Sequence, residues 1–465
     1  MEKSIGKEML EKLSYSKKNV YEEASSEKIK AIYDYALGYM NYLNNSKTER
    51  EAVETSIELL KKYGFTEYKL GDKIEAGDKK YMNQFGKGLV AFKLGFADIE
   101  KEGLRILAAH IDSPRIDLKQ VPLYEDSGMG FFKTHYYGGV KKYQWTAIPL
   151  ALHGVIVKAD GVVVNVCIGE SDEDPVFYIN DLLPHLGQRQ MQENLGNAIS
   201  GESLNILVGG LPYNDPDVSD KIKLTVLSML YEKYGVTEED FLSAELSLVP
   251  AFKARDVGFD RALIGSYGHD DKVCSYPALT ALIDNLDSDK SVLVVLADKE
   301  ETGSDGISGM QSEYLSDVIV EISKNLGKNE VVVRRNSKCL SADVTAAYDP
   351  NFSDVYEKRN SALISCGTAI CKYTGARGKS GTSDASAEFV GFVRRLLSEN
   401  NVIWQLCELG KVDAGGGGTV AKFIANMNIE TIDIGVPVIS MHAPYEVVSK
   451  ADVYSTYEAF CAFVK

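Results

Sequence analysis

Between Glu27 and Leu43 apolar side chains recur at Ile29, Ile32, Tyr33, Ala36 and Met40, close to the 3.6-residue period of an amphipathic helix. Thr48 and Glu51 then have the spacing of a capping box, and Val53, Ile57 and Leu60 share the face that follows. A second helix is expected from Ser46 or Thr48 to Gly64, and residues 1–65 read as helical throughout. Farther on, the period shortens. Residues 88–94 and 103–110 read as strands, and residues 291–296 form an apolar run, S-V-L-V-V-L, without polar alternation. Such a run predicts a strand covered on both faces, as in a parallel α/β sheet.

Residues 120–250 have a different texture. The stretch 150–168 is strand-like and broken by Asp160-Gly161, which predicts a hairpin. Past Pro250, helices are expected over 276–286, 312–326 and 383–397, and strands over 331–333, 361–371 and 431–440. The pattern predicts an α/β fold made by residues 1–119 and 251–465, interrupted by a β-rich domain at 120–250.

Composition sharpens this picture in three places. A chain of 465 residues is too long for one ordinary core. Its formal charge of −16 argues against nucleic acid or an anionic membrane as partner. Seven cysteines are scattered with no C-x-x-C pair, which suggests reduced thiols and a cytoplasmic protein. The first residues lack an apolar signal core, and no stretch approaches the roughly 18 apolar residues of a membrane helix. Gly378-Lys379-Ser380 ends like a P-loop, but the first glycine that motif requires falls on Tyr373. The glycines at 415–418 lack dinucleotide spacing and leave either a flexible loop or a close backbone approach to substrate at Gly416 and Gly417.

Candidate chemistry gathers where predicted strands end, the edge at which open α/β sheets place their ligand sites. Glu300 and Glu301 follow the apolar run. On an extended chain neighbouring side chains point different ways, so one carboxylate can hold a metal while the other handles a proton. His110 and Asp112 share a face after another strand, and Asp112 can orient the imidazole without binding metal. Asp270 precedes a helix and is either its cap or a carboxylate shared by two metals. Asp343 and His442 each come just after a strand-like segment. These donors suit two zinc ions. His110 would serve one with Asp343 or Glu301, and His442 the other with a further carboxylate; Asp270 would be shared and Glu300 left as base.

Together these motifs resemble the aspartyl aminopeptidase family of dinuclear zinc exopeptidases. The resemblance is carried by A-A-H-I-D-S-P-R (108–115), Y-Y-G-G-V (136–140), P-H-L (184–186), G-H-D-D-K-V-C-S-Y (268–276), D-K-E-E-T-G-S (298–304), S-A-D-V-T-A-A-Y-D-P (341–350), D-A-G-G-G-G-T (413–419) and M-H-A-P-Y-E (441–446). It implies a mixed central sheet flanked by helices, an inserted β-rich dimerisation domain and assembly to a dodecamer. By position it implies His110, Asp270, Glu301, Asp343 and His442 as ligands of two Zn2+ per subunit, with Co2+ or Mn2+ as substitutes. Asp270 would bridge, with a cis peptide to Asp271; Glu300 would be the general base and Asp112 the residue orienting His110. His185 would be a ligand or would complete a neighbouring subunit's site, and Lys372 would meet an acidic substrate side chain. The implied substrates are peptides with a free N-terminus, including those with acidic first residues. The residues alone also leave open a dinuclear carboxypeptidase or N-acyl amino-acid deacylase, and a catalytically silent assembly protein.

Overall fold

A nine-stranded mixed sheet is the largest of four sheets among the described residues. The computed structural model describes residues 4–465, so the first three residues of the expected helical stretch lie outside the described residues. At the centre of the sheet four strands run parallel: Val292–Ala297, Arg105–His110, Lys338–Ser341 and Glu430–Gly435. Gly88–Lys93 flanks them antiparallel on one side and Thr368–Cys371 on the other. The apolar run divides its side chains between two cores: Val292, Val294 and Leu296 face one, Leu293, Val295 and Ala297 the other. Helices cover both faces, which is why the run carries no polar alternation. Ser26–Asn44, Glu49–Lys62, His269–Asp284 and Lys450–Val464 pack on one side, and Tyr314–Asn325 on the other. The fold is mixed α/β, as expected.

The capping box forms: Thr48 Oγ1 accepts from Glu51 N–H, and the Glu51 carboxylate accepts from Thr48 N–H at 3.0 Å. Residues 331–333 are not a strand. They lie in the helix Glu330–Asn336, because Asn329 caps its first turn through Val331 N–H at 3.0 Å and Glu330 pairs with Arg334 one turn on. Only Val333 is buried, so three β-branched residues in a row do not make a core strand here. The strand expected over 361–371 is confined to Thr368–Cys371, and the residues before it are irregular.

A seven-stranded antiparallel sheet is built from residues between Arg115 and Pro250. Leu150–Val157 and Val163–Ile168 form the hairpin whose turn holds Asp160-Gly161. Trp145, Phe132 and Phe241 anchor its separate core. Buried His153 on this sheet lies between Glu51 (2.6 Å) and Glu170 (3.1 Å), which ties the sheet to the capped end of the helix Glu49–Lys62.

The four parallel strands end side by side, with His110 last in one and Glu300, Glu301 and Asp343 just past two others, while Asp270 and His442 follow Leu263–Ser266 and Pro437–Ile439 of a separate five-stranded sheet. Gly435 closes one of them with its backbone against the Asp343 carbonyl, where any Cβ would collide. Gly435→Ala should therefore cost roughly 1–3 kcal/mol of stability and push Asp343 outward. A urea unfolding midpoint together with zinc content would show both effects falling on the same variant.

Candidate metal centre

His110 is the last residue of its strand and is buried. Its Nδ1 lies 3.3 Å from Asp112 Oδ1 and 3.1 Å from the Asp112 carbonyl, which turns Nε2 inward. Nε2 stands 3.0 Å from Asp270 Oδ1 and 3.7 Å from Asp343 Oδ1. His442 mirrors this arrangement. Its Nδ1 contacts the Gly139 carbonyl at 2.9 Å, and its Nε2 stands 3.2 Å from Asp270 Oδ2 and 3.4 Å from Glu301 Oε2. The two oxygens of Asp270 therefore face different histidines. The donor atoms fall into two groups, His110–Asp270–Asp343 and Asp270–Glu301–His442, each within 4.8 Å. Of the pairings left open by the sequence, the geometry places Asp343 beside His110 and Glu301 beside His442.

Backbone departures place these groups. Asp270 and Asp271 leave helical geometry at the start of His269–Asp284, and the peptide bond between them is cis. Asp270 makes no capping bond there. Its N–H donates to Glu446 (3.1 Å), and its carbonyl accepts from Ser113 Oγ (2.7 Å). Glu300 and Glu301 are not on an extended chain but in a 3₁₀ turn, Glu300–Thr302, between Lys299 and Gly303 at positive φ. Fully buried Asp112 holds that turn: its Oδ1 accepts from Glu300 N–H (3.1 Å), and its Oδ2 from Glu301 N–H (3.2 Å) and Tyr137 OH (2.7 Å). Glu300 Oε2 comes 4.0 Å from His110 Nε2, beside the first group yet outside both.

The residues fit a pair of cations. Glu301 Oε1 is buried without a hydrogen-bond partner, and nitrogen and oxygen donors with no thiolate suit zinc. Burial pushes Glu300 up to about 8 against the pull of His110, with Asp343, Asp112 and Asp270 adding to the rise. Burial also raises Glu301 and Asp343. On the histidines burial acts downward but is outweighed. Asp112, Asp270 and Asp343 hold His110 well above its ordinary value, and Asp270 with Glu301 lifts His442 to about 10. Cations arriving here would displace those protons.

The other expected residues are placed differently. Gly416 and Gly417 line the cavity of about 510 Å³ that also exposes Asp270, Glu300, Glu301, Asp343 and His442. Lys372 is not in that lining; its ammonium is 2.6 Å from Asp384. His185 is exposed and belongs to neither donor group of this chain. Sequence reasoning missed Asp271, whose Oδ2 accepts from His110 N–H at 3.3 Å, and Glu446, whose Oε1 accepts from His442 N–H at 2.7 Å. The spacing H-x-x-x-E was visible at 442–446, but nothing in it says that the glutamate returns to the histidine's own backbone.

Comparison with known proteins decides the family. The family described as "Aminopeptidase I zinc metalloprotease (M18)" matches residues 42–464. The chain belongs to the M18 aminopeptidase family. It is a zinc-dependent aminopeptidase, a hydrolase. A "Probable M18 family aminopeptidase 1" of Clostridium acetobutylicum is 46% identical over 455 residues, spanning 96% of this chain and 98% of that one. The crystal structure of an M18 aminopeptidase from Thermotoga maritima superposes with a TM-score of 0.92 at 42% identity, over 97% of this chain and all of that one. A yeast relative solved as a dodecamer, mApe1, shares the fold at a TM-score of 0.76 and 24% identity, over 92% of this chain and 96% of that one.

Asp112→Ala removes the group that orients His110 and acceptors for the amides of both glutamates. Its zinc affinity should fall about 10- to 100-fold in competition with a chelator, while far-UV circular dichroism stays that of the wild type.

Proposed function

We propose that this aminopeptidase hydrolyses the first peptide bond of its substrates at a two-zinc centre. His110, Asp270 and Asp343 would hold one ion and Asp270, Glu301 and His442 the other. The observation that carries this reading is Asp270, whose two oxygens face two separate histidine–carboxylate groups. Zinc bound there lowers the pKa of water towards about 7 and polarises a carbonyl. Cobalt or manganese can take the same nitrogen and oxygen donors.

The chain's own residues do the rest. Glu300 stands beside the cluster, 4.0 Å from His110 Nε2 and outside both donor groups, so with the cations in place its carboxylate is free to take a proton from water and return it to the leaving amine. The amides of Glu300 and Glu301 on one Asp112 carboxylate keep base and ligand in fixed relation. The acidic wall suits the substrate's free N-terminal ammonium. Family membership sets aside the carboxypeptidase and deacylase readings, and Glu300 poised beside a complete donor set argues against a silent scaffold. A preference for acidic first residues draws no support from Lys372, whose charge is matched by Asp384.

Residues 120–250 we read as a dimerisation domain within a dodecamer, the assembly of the yeast relative. Support comes from the apolar side chains this segment exposes around His185: Leu182, Leu183, Leu186, Met191 and Leu195. On this reading His185 completes a neighbouring chain's site. Peptides with a free N-terminus are the partners, and neither nucleic acid nor membrane is expected. Among the described residues no helix is long and apolar enough to cross a membrane. The free cysteines suit a cytoplasmic protein.

Two experiments test this reading. Glu300→Gln should keep its zinc and lose roughly 10²- to 10⁴-fold in kcat; wild-type turnover would hand the base to another group. Assemblies mixed from Glu300→Gln and His185→Ala chains should be more active than either parent, because each intact site then borrows a histidine. No recovery means that His185 does not act across chains.

A further inference from the structure

Three groups of close donor atoms occur among the described residues, and two of them make up the catalytic centre. In the third, one carboxylate oxygen of Glu51, one ring nitrogen of His153 and Cys167 Sγ lie within 4.8 Å of one another. The fold gathers them from separate places. His153 and Cys167 stand directly opposite each other on the antiparallel strands Leu150–Val157 and Val163–Ile168, so their side chains share a face of the sheet. Glu51 arrives from the first turn of the helix Glu49–Lys62. His153 is buried, Glu51 half-buried and Cys167 exposed, so the group opens to solvent on its thiol side.

The ring is held as a metal-binding imidazole is held. Its Nε2 is 3.1 Å from Glu170 Oε1, and that carboxylate is matched by Lys47 Nζ at 2.6 Å. Its Nδ1 faces Glu51 Oε1 at 2.6 Å, while Glu51 Oε2 is taken by the Thr48 N–H. A carboxylate behind one nitrogen and donors ahead of the other is also the arrangement of His110, with Asp112 behind and Asp270 and Asp343 ahead. A neutral imidazole has one N–H for two carboxylates, and its other nitrogen then aims a lone pair at an anion. A cation between Nδ1 and Glu51 removes that conflict. At the present spacing the cation is a proton. Tetrahedral ligands of zinc stand about 3.3 Å or more apart, so a metal there requires Glu51 to withdraw by roughly 1 Å, which its partly exposed side chain permits.

We propose that Glu51, His153 and Cys167 form a metal site separate from the catalytic centre, for one divalent cation of the zinc class with solvent at its open position. An imidazole, a thiolate and a carboxylate suit zinc and not magnesium or calcium. Binding exchanges two protons, one from the imidazolium and one from the thiol, for one dication, and so leaves the local charge unchanged. The ion fastens the capped end of the helix Glu49–Lys62 to the seven-stranded sheet. It takes no part in hydrolysis, since none of its three ligands lines the catalytic cavity.

Cobalt separates this site from the catalytic one, whose donors are nitrogen and oxygen only and give no thiolate-to-metal charge transfer. The full-length protein, stripped with a chelator and refilled with Co2+, should show that band in the near ultraviolet. It should also hold one metal equivalent more than Cys167→Ser, whatever the catalytic centre takes. In Cys167→Ser, a change at an exposed position, the band should vanish while far-UV circular dichroism stays that of the wild type. Cys461→Ser, at the other cysteine that is not buried, should keep both the band and the extra equivalent. No band in the wild type, a band that survives Cys167→Ser, or equal metal content in those two proteins overturns the assignment. The aminopeptidase reading stands apart from all three results, because it is tested on turnover.

Discussion

Negative charge buried without matching positive charge is the constraint on which this structure turns. Asp112, Asp270, Asp271 and Glu446 are almost wholly buried, and Glu300, Glu301 and Asp343 crowd against them. Carboxylates a few ångströms apart in a poorly solvated pocket repel strongly. Lys272, buried nearby, donates to Ser113 Oγ at 2.7 Å, and Arg115 acts on Asp112, so two fixed positive charges face seven acids. The cluster must therefore hold protons on its acids and imidazoles or hold metal. Asp270 is the pivot, because each of its oxygens answers a different histidine.

The fold supplies the positions. Parallel strands stop in register, so short excursions from their ends bring His110, Glu300, Glu301 and Asp343 together although they lie far apart in sequence. The excursions are then tied to one another and not to solvent. Asp112 gathers the amides of Glu300 and Glu301, Glu446 gathers those of Asp270 and His442, and Asp271 takes that of His110. A second layer of acids thus positions the backbone of the first and leaves its side chains turned toward one another.

Much of this was legible in the chain because the decisive signals are local. The apolar run at 291–296 announces a doubly covered strand, the Thr48–Glu51 spacing announces a cap, and His110 and His442 stand at visible strand ends. Long-range geometry was not legible. Pattern alone could not prefer Asp270 to Asp271; a kinked backbone sends one side chain to the histidine rings and the other to an amide. Val331–Val333 has strand composition, but an asparagine cap and one-sided burial make it helical. Lys372 has a plausible address, yet the loop brings Asp384 onto it.

Diffraction from crystals soaked in zinc, recorded at the zinc absorption edge, tests the central claim most directly. The account predicts two anomalous peaks per chain, about 3.5–4 Å apart, with one oxygen of Asp270 on each. A single peak, or two peaks that leave Asp270 without a metal contact, would contradict it.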